Sequence, residues 1–223
     1  MIPKKIHYCW FGPKPFPKTV QECISTWKVH LPDYQFVLWN ESNSPMHHPF
    51  VKQAYEARKY AFVADYVRLW ALYHEGGIYL DTDMYVVKSF NELLIENVFF
   101  GYETQIRDYI SGGIMGAQIN NPFISILLAQ YDSLKFENAN IDQLKIPLII
   151  TKAFLTYKAK ESIQIFPFDY FYPFPFEKRH EKNEFLHYAT DQTYAIHLWD
   201  LSWFTWEDFV IQKYHNFRKK VKL

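Results

Sequence analysis

Asp81 and Asp83 are separated by a single residue, and they directly follow the short apolar run Ile78-Tyr79-Leu80. Such a run predicts a buried strand, and ligands of open α/β sheets bind in the crevice beyond the carboxyl ends of the strands. Carboxylate oxygens are preferred ligands of Mg²⁺ and Mn²⁺, which keep coordination positions open for substrate phosphates. The triplet therefore predicts a divalent-cation site that could neutralise charge on a departing diphosphate, although an Asp-x-Asp triplet also occurs as plain solvated loop.

A second charged pair, Asp65 and Arg68, lies on the otherwise apolar segment 61–74, which predicts a buried helix. Their i, i+3 spacing brings them to one face. Two interpretations follow. The pair either forms a mutual salt bridge that serves the helix alone, or Asp65 binds hydroxyls of a ribose or sugar while Arg68 binds a carboxylate, a diphosphate or the sugar. Burying charge costs free energy, which favours the functional interpretation.

The elements that would position these residues follow an α/β pattern. Strand, helix and strand occupy 6–10, 19–31 and 35–39, which is typical of a parallel α/β sheet. Gly76-Gly77 ends the helix 61–74, because glycine tolerates the left-handed conformation there. Further predicted strands are 78–80, 84–87, 98–102, 113–117, 163–166 and 194–197, and further helices are 122–131, 147–157 and an amphipathic one from Trp206 to the C-terminus. Without a linker or repeat, we expect one domain over 1–223.

Composition excludes some classes of protein. Equal numbers of basic and acidic residues, 24 each, give a net charge of +0, which argues against a general nucleic-acid binder. The chain holds 20 Phe, 17 Tyr and 7 Trp; most of these rings fill the core, and some could line a groove for bases and sugars.

Two cysteines, Cys9 and Cys23, make no disulfide framework, so a reducing, cytoplasmic compartment is expected. We also expect no signal peptide and no membrane span. The basic tail could instead contact an anionic membrane from its inner face if the acceptor is lipid-linked, or be a solvated helix end; its cations are Lys213, Arg218, Lys219, Lys220 and Lys222.

Three stretches together resemble the glycosyltransferase family described as a sugar-binding region containing a DXD motif. They are 2–12, the Asp65…Arg68 pair and 76–83, which ends in Asp81-Thr82-Asp83. The family includes fungal initiating α-1,6-mannosyltransferases, animal α-1,4-glycosyltransferases and bacterial capsular polysaccharide enzymes, and its signature is similar to the glucosylating domain of large clostridial toxins. The resemblance is strong over 1–103, thin over 104–190, and returns at 195–199 and 202–203.

The resemblance implies a GT-A fold, with a Rossmann-like mixed sheet flanked by helices. It also implies a nucleotide-sugar donor, Mn²⁺ or Mg²⁺, and retention of anomeric configuration. We expect a UDP-sugar as donor and a saccharide or lipid-linked saccharide as acceptor, in capsule-like or O-antigen-like polysaccharide synthesis.

The family also implies roles for individual residues. Asp81 would touch the ribose or a metal-bound water, Asp83 would bind the metal directly, and His197 falls where many GT-A enzymes have a third metal ligand. The expected donor contacts are Tyr8 and Trp10 at the base, Asp65 and Arg68 on the donor, and Ser202 and Trp203 over the diphosphate.

Several of these positions also have a purely structural interpretation. His197 could be a satisfied core histidine, and Trp203 could pack beside Trp199 and Trp206. Ser111-Gly112-Gly113 could be a plain turn or a small-residue shelf for the donor sugar. The ring-rich stretch 166–176 could cover the core or form a wall of the acceptor site.

Two other functions fit parts of the pattern. An aspartate-nucleophile phosphohydrolase also uses an Asp-Thr-Asp after a strand, but its motif normally follows the first strand with Thr or Val two residues after the second Asp, where this chain has Tyr85. A non-catalytic carbohydrate-binding module is the third class. For a retaining transferase, the spare carboxylates that could act as a nucleophile are Glu103, Asp108 and Asp191, and none has a sequence context that marks it as one.

Overall fold

The computed structural model describes residues 1–136, 141–181 and 183–200, and these ranges contain both strands and helices. The strands are β1 Lys5–Cys9, β2 Gln35–Trp39, β3 Gly77–Leu80, β4 Met84–Val86, β5 Val98–Tyr102, β6 Ile110–Ala117, β7 Gln164–Phe166 and β8 Ala195–His197. The α-helices are α1 Lys18–His30, α2 Pro49–Glu56, α3 Tyr60–Glu75, α4 Pro122–Ser133 and α5 Ile146–Thr156.

Six of these strands form the main sheet, in the order β2-β1-β3-β6-β5-β7. β1 pairs in parallel with β2 and β3, while β6 is antiparallel to both β3 and β5. β7 in turn is parallel to β5. Five strands therefore run in one direction and β6 runs against them, so the carboxyl ends of β1, β3 and β5 and the amino end of β6 meet at one edge.

Each face of the sheet is covered by its own apolar cluster. Helices α2, α3, α4 and α5 pack together on one side, where Val67, Met115 and Leu127 are fully buried. The other side holds α1, the β4-β8 ribbon and the segment around Phe171, with Trp27 and Ile78 fully buried. Burial of this apolar surface is the main force that stabilises the sheet, and it fixes the edge described above.

The predicted elements that fall within the described residues are confirmed, with small shifts at their ends. The first strand covers Lys5–Cys9 rather than 6–10, so Trp10 lies just beyond it. Helix α3 covers Tyr60–Glu75 against the predicted 61–74. The plain-turn interpretation of Ser111-Gly112-Gly113 is wrong, because these residues belong to the buried strand β6. The carbonyl of Gly112 accepts from the Arg68 guanidinium and that of Gly113 from the backbone N–H of Asp81, so these buried carbonyls have partners.

Gly76 and Gly77 connect α3 to β3 with positive φ angles of 61° and 110°. At Gly77 a Cβ atom would lie 2.8 Å from the carbonyl oxygen of Lys5 and 3.0 Å from Nε2 of His7. Glycine is therefore needed twice over, for the backbone conformation and for the close approach of β1. The prediction that these glycines end the helix is confirmed.

The predicted C-terminal helix and the basic tail fall outside the described residues, as do Ser202 and Trp203. Among the residues that are described, none of the helices has both the length and the apolar character that crossing a membrane requires. Cys9 and Cys23 are both buried, and no disulfide joins them.

Candidate active site

Five of the predicted site residues lie together at the sheet edge formed by the carboxyl ends of β1, β3 and β5: Asp65, Arg68, Asp81, Asp83 and His197. Asp81 directly follows β3, and its backbone N–H donates to the carbonyl of Gly113 at 2.7 Å. Glu103 directly follows β5. Because β6 is antiparallel, its first residues return to the same edge, so residues from distant parts of the chain face one crevice.

Asp81, Asp83 and His197 form a cluster in which each offers one ligand atom, all within 4.8 Å of one another. The antiparallel pairing of β4 with β8 sets Met84 opposite His197 and so brings the histidine to the aspartates. Nε2 of His197 lies 3.1 Å from Oδ1 of Asp83. The backbone N–H of Asp200 donates to Oδ2 of Asp83 at 2.7 Å.

The donor set of this cluster fits a divalent metal ion. Two carboxylates and an imidazole are common ligands of Mn²⁺ and related ions. In addition, Nδ1 of His197 is buried without a hydrogen-bond partner in the described chain, and buried polar atoms are normally satisfied. The core-histidine interpretation of His197 therefore fits less well than the ligand interpretation, because a satisfied core histidine would have partners at both ring nitrogens.

The charges of the cluster depend on one another. Burial raises the pKa of Asp81, since the opposing effect of Arg68 does not offset it and Asp83 adds to it. Burial acts in the same sense on Asp83, but the charge and hydrogen bond of His197 outweigh it and lower the pKa of that carboxyl. Burial would lower the pKa of His197, yet the Asp83 carboxylate raises it. The cluster thus attracts positive charge, which a proton or a metal ion can supply.

Arg68 links its helix neighbour Asp65 to Asp81 of the cluster. Its guanidinium lies 2.9 Å from Oδ1 of Asp65 and 3.2 Å from Oδ1 of Asp81, and it donates to the carbonyl of Gly112 at 2.7 Å. Both Asp65 and Arg68 are buried, with 7% and 5% of their surface exposed. Asp65 and Arg68 do form a salt bridge, and Arg68 also forms one with Asp81. The pair therefore contacts a residue outside its own helix.

Tyr79 and Tyr172 also belong to the site, and sequence reasoning missed both. The Tyr79 hydroxyl donates to Oδ1 of Asp81 at 3.0 Å, and its ring lies 4.4 Å from the Arg68 guanidinium carbon. The Tyr172 hydroxyl accepts from the backbone N–H of Ile114 at 3.0 Å. The strand periodicity of two puts Tyr79 on the same face as Asp81 and could have revealed it, whereas Tyr172 had no local signal.

Gly112 and Gly113 occupy opposite faces of β6, as neighbouring strand residues do. A Cβ atom at Gly113 would lie 3.0 Å from both Oδ2 of Asp81 and the Tyr172 hydroxyl. At Gly112 it would instead lie 2.8 Å from Cγ2 of Ile146 in α5. Gly113 therefore borders the cluster of Asp81, Asp83 and His197. Gly112 contributes its carbonyl oxygen, which accepts a hydrogen bond from Arg68.

This difference predicts opposite outcomes for two alanine substitutions. Gly113→Ala should lower kcat/KM for sugar transfer at least tenfold, because the added methyl group displaces the Asp81 carboxylate. Gly112→Ala should mainly reduce stability, by about 1–3 kcal/mol, because it overpacks the helix interface. Steady-state kinetics and thermal melts of both variants test this. A Gly113→Ala protein that is destabilised but fully active would contradict it.

Tyr8 and Trp10, expected at the nucleotide base, lie at the β1 end of the edge. Tyr8 is half-buried and its ring packs edge-on against Trp27, with centroids 5.4 Å apart. The Trp10 indole N–H donates to the carbonyl of Lys14 at 2.6 Å, and the ring packs against Phe16. Strand β1 is separated from β5, and so from Glu103, by β3 and β6. The role of both rings at a base stays a prediction.

The three spare carboxylates have different surroundings. Glu103 is half-buried at the sheet edge; burial raises its pKa, and its carboxyl interacts with the charges of His197 and Asp81. Asp108 is exposed and accepts from the Thr104 hydroxyl. Asp191 is exposed on the turn before β8, where its backbone carbonyl accepts from Lys88 at 2.7 Å. Glu103 therefore lies at the same sheet edge as Asp81, Asp83 and His197, whereas Asp191 lies in the turn that precedes β8.

Comparison with known proteins finds one family model and several relatives that match part of the chain. Residues 17–100 match the family model described as a glycosyltransferase sugar-binding region containing a DXD motif. The chain is 31% identical over 135 residues to inositol phosphoceramide mannosyltransferase 3 of Schizosaccharomyces pombe, which covers 55% of this chain and 35% of that protein. It is 29% identical over 174 residues to mannosyl phosphorylinositol ceramide synthase CSH1 of Saccharomyces cerevisiae, covering 71% of this chain and 44% of that protein.

The chain thus spans less than half the length of these two relatives. Among solved structures, the PaToxG glycosyltransferase superimposes with a TM-score of 0.58 at 23% identity, over 69% of each chain. A likeness at that identity concerns the fold, and the mixed sheet flanked by helices is the one found in GT-A glycosyltransferases. The predicted fold is therefore confirmed. Residues 17–100, which include Asp65, Arg68 and the Asp81-Thr82-Asp83 triplet, thus match a DXD-containing sugar-binding region of glycosyltransferases, and the chain has the GT-A fold.

Proposed function

We propose that this protein is a metal-dependent glycosyltransferase that moves a sugar from a nucleoside-diphosphate sugar onto a saccharide hydroxyl. The observation that supports it most is the cluster of Asp81, Asp83 and His197 at the sheet edge. The first two ligands lie within the family segment 17–100. The third, His197, lies on β8 and is brought to the aspartates by the pairing of β8 with β4.

Each residue of the site has its own role in this proposal. Asp81, Asp83 and His197 would hold Mn²⁺ or Mg²⁺, which when bound neutralises charge on a diphosphate leaving group. Arg68 and Tyr79 orient the Asp81 carboxylate, because both contact its Oδ1, at 3.2 Å and 3.0 Å. Gly113 leaves room beside that carboxylate for the donor. Asp65 balances the buried charge of Arg68 at 2.9 Å, and with Arg68 it would border the donor.

We further propose a UDP-sugar as donor, with Tyr8 and Trp10 beside the base and with Ser202 and Trp203, outside the described residues, over the diphosphate. A lipid-linked acceptor in polysaccharide synthesis fits this scheme. The two relatives named above act on ceramide lipids according to their names. Peripheral membrane contact through the basic tail, and a single catalytic domain over 1–223, belong to the same proposal.

A turnover screen tests the function. UDP- and GDP-sugars, GDP-mannose among them, are incubated with the protein and a saccharide panel, with Mn²⁺ or with EDTA. We expect release of the nucleoside diphosphate only with metal, and a raised melting temperature, since a ligand at 100 times its Kd stabilises by about 2.7 kcal/mol. Phosphate release from simple phosphate esters would indicate the phosphohydrolase instead. Saccharide binding with no turnover of any donor would indicate a binding module.

The stereochemistry is a separate prediction. The carboxylates of the cluster are committed to metal binding, and we propose that the acceptor attacks on the face that the diphosphate leaves, with a phosphate oxygen taking its proton. Proton NMR of the first-formed product should therefore show retention of anomeric configuration. Neutralising Glu103, Asp108 or Asp191 should each reduce the rate without abolishing it. An inverted product would contradict retention, and a trapped glycosyl adduct on one of these residues would contradict the same-face route alone.

A further inference from the structure

We infer that the cleft beside the metal cluster binds the acceptor as an electrically neutral saccharide, stacked on aromatic rings and held by two carboxylates that exclude acidic sugars. The cleft has a volume of about 340 Å³ and is lined by residues that include Glu103, Glu177, Tyr172, Phe174, Phe176 and Trp199. This inference rests on the proposed function, because it assigns the acceptor class of the same site.

The cleft adjoins the cluster, because two of its lining residues contact His197. Trp199 packs on His197 with ring centroids 4.1 Å apart, and Tyr172 packs edge-on against the same imidazole at 5.7 Å. Glu103 follows β5, so the cleft occupies the β5 half of the sheet edge, whereas Tyr8 and Trp10 occupy the β1 half. A molecule in the cleft would therefore approach the metal cluster from the side opposite to those two rings.

One wall of the cleft is aromatic and rigid. Trp199 has a φ of 54°, which is rare for a bulky residue. Its indole N–H donates to the carbonyl of Phe174 at 2.7 Å, and its ring packs edge-on against Phe176 at 5.5 Å. Backbone strain of this kind persists where the surroundings hold the residue in place. A half-exposed indole held in this way offers a flat apolar face to the C–H face of a sugar ring.

The two charged residues that line the cleft, Glu103 and Glu177, are both acidic. Glu103 is half-buried and Glu177 is exposed, and within the described chain neither forms an ion pair with a lysine or arginine. Ionised carboxylates only accept hydrogen bonds, so they suit sugar hydroxyls, which donate them. A sugar carboxylate would instead face two like charges, one of them in a partly buried setting where repulsion is screened little.

Paired acceptors test the inference. Each pair is a gluco-, galacto- or manno-hexoside and its hexuronide with the same aglycone and anomeric configuration. Wild type should prefer the neutral member at least tenfold in kcat/KM. Glu103→Gln, which keeps an amide oxygen but removes the charge, should reduce that preference about tenfold. The ratio is measured within one variant, so a loss of folded protein or of donor binding cancels. Equal use of both members by wild type, or an unchanged ratio in Glu103→Gln, would overturn the inference.

Glu161→Gln is the matched control. Glu161 is exposed and precedes β7, which places it at the opposite edge of the sheet, so this variant should keep the wild-type ratio. Saturation-transfer NMR with methyl hexosides and methyl hexuronides, without donor, provides a readout besides activity. Signals from the neutral sugars should disappear in Trp199→Ala and persist in Trp199→Phe. Turnover without the neutral preference would reject this inference alone, whereas selective sugar binding without any donor turnover would reject the proposed function alone.

Discussion

Asp83→Ala should lower kcat/KM for sugar transfer at least a thousandfold. Asp83 offers one carboxylate oxygen to the cluster and is oriented by His197 and by the backbone N–H of Asp200. Without it, charge on the leaving diphosphate would be poorly compensated. Metal stabilisation of such charge is worth several kcal/mol, and about 4 kcal/mol corresponds to three orders of magnitude in rate. Steady-state kinetics at saturating Mn²⁺ measure the loss.

The fold should survive this change. Asp83→Asn keeps an amide oxygen for the Asp200 N–H and should therefore melt within a few degrees of wild type while remaining inactive. Asp33→Asn is the control: Asp33 is exposed, pairs with Lys4 and precedes β2 at the far edge of the sheet, so this variant should keep full activity. A folded Asp83→Ala protein with near-normal turnover would end the metal hypothesis.

Arg68→Ala should remove both activity and stability. The guanidinium compensates the carboxylates of Asp65 and Asp81 at 2.9 Å and 3.2 Å in a buried setting. Removing one partner of a buried ion pair typically costs about 3–5 kcal/mol, because the remaining charge is left without compensation. For a chain of this size that corresponds to a melting temperature lowered by roughly 6–20 °C. Circular dichroism melts and kinetics on the remaining folded protein separate the two effects.

The loss of stability should shrink as the pH falls. Burial raises the pKa of Asp65 to about 7, although Arg68 opposes this, and without Arg68 it would rise further. Since the folded pKa exceeds the unfolded one of about 3.9, the folded state takes up the proton first. The Arg68→Ala variant should therefore be most stable at low pH, where Asp65 is protonated, and should lose that stability as the pH rises from about 4 through the folded pKa of Asp65.

Lys52→Ala, which removes an exposed cation from α2, should show no comparable melting shift at any pH in this range. Unchanged kinetics with a lower melting temperature in Arg68→Ala would assign Arg68 to structure alone. An unchanged melting temperature would contradict the buried-pair account.

Much of the fold could be predicted because its signals are local. The apolar period of α3 and the glycines Gly76 and Gly77 define a helix and its end within a few residues of sequence. The buried run of β3 then places Asp81 at a strand end. By contrast, the sheet order and the reversed direction of β6 depend on contacts between distant segments, which composition and periodicity do not encode.

The same distinction holds for the site. Asp81 and Asp83 could be found from their spacing, and Tyr79 could have been found from strand alternation. The pairing of Asp83 with His197 depends on β4 meeting β8, which lie more than a hundred residues apart. Without a family resemblance, the sequence gives no reason to choose His197 among nine histidines. Tyr172 lies in the stretch predicted to cover the core or to form an acceptor wall; it is buried in the core and also lines the cleft beside the cluster.

Binding of Mn²⁺ to the isolated protein tests the central claim most directly. The metal-free chain is titrated with Mn²⁺ in the presence of UDP, and free Mn²⁺ is followed by electron paramagnetic resonance. Wild type should bind one Mn²⁺ per chain, and His197→Ala and Asp83→Asn, each confirmed to be folded, should bind it at least tenfold more weakly. A wild-type protein that binds no Mn²⁺, or variants that bind it as tightly as wild type, would contradict a metal site formed by Asp81, Asp83 and His197.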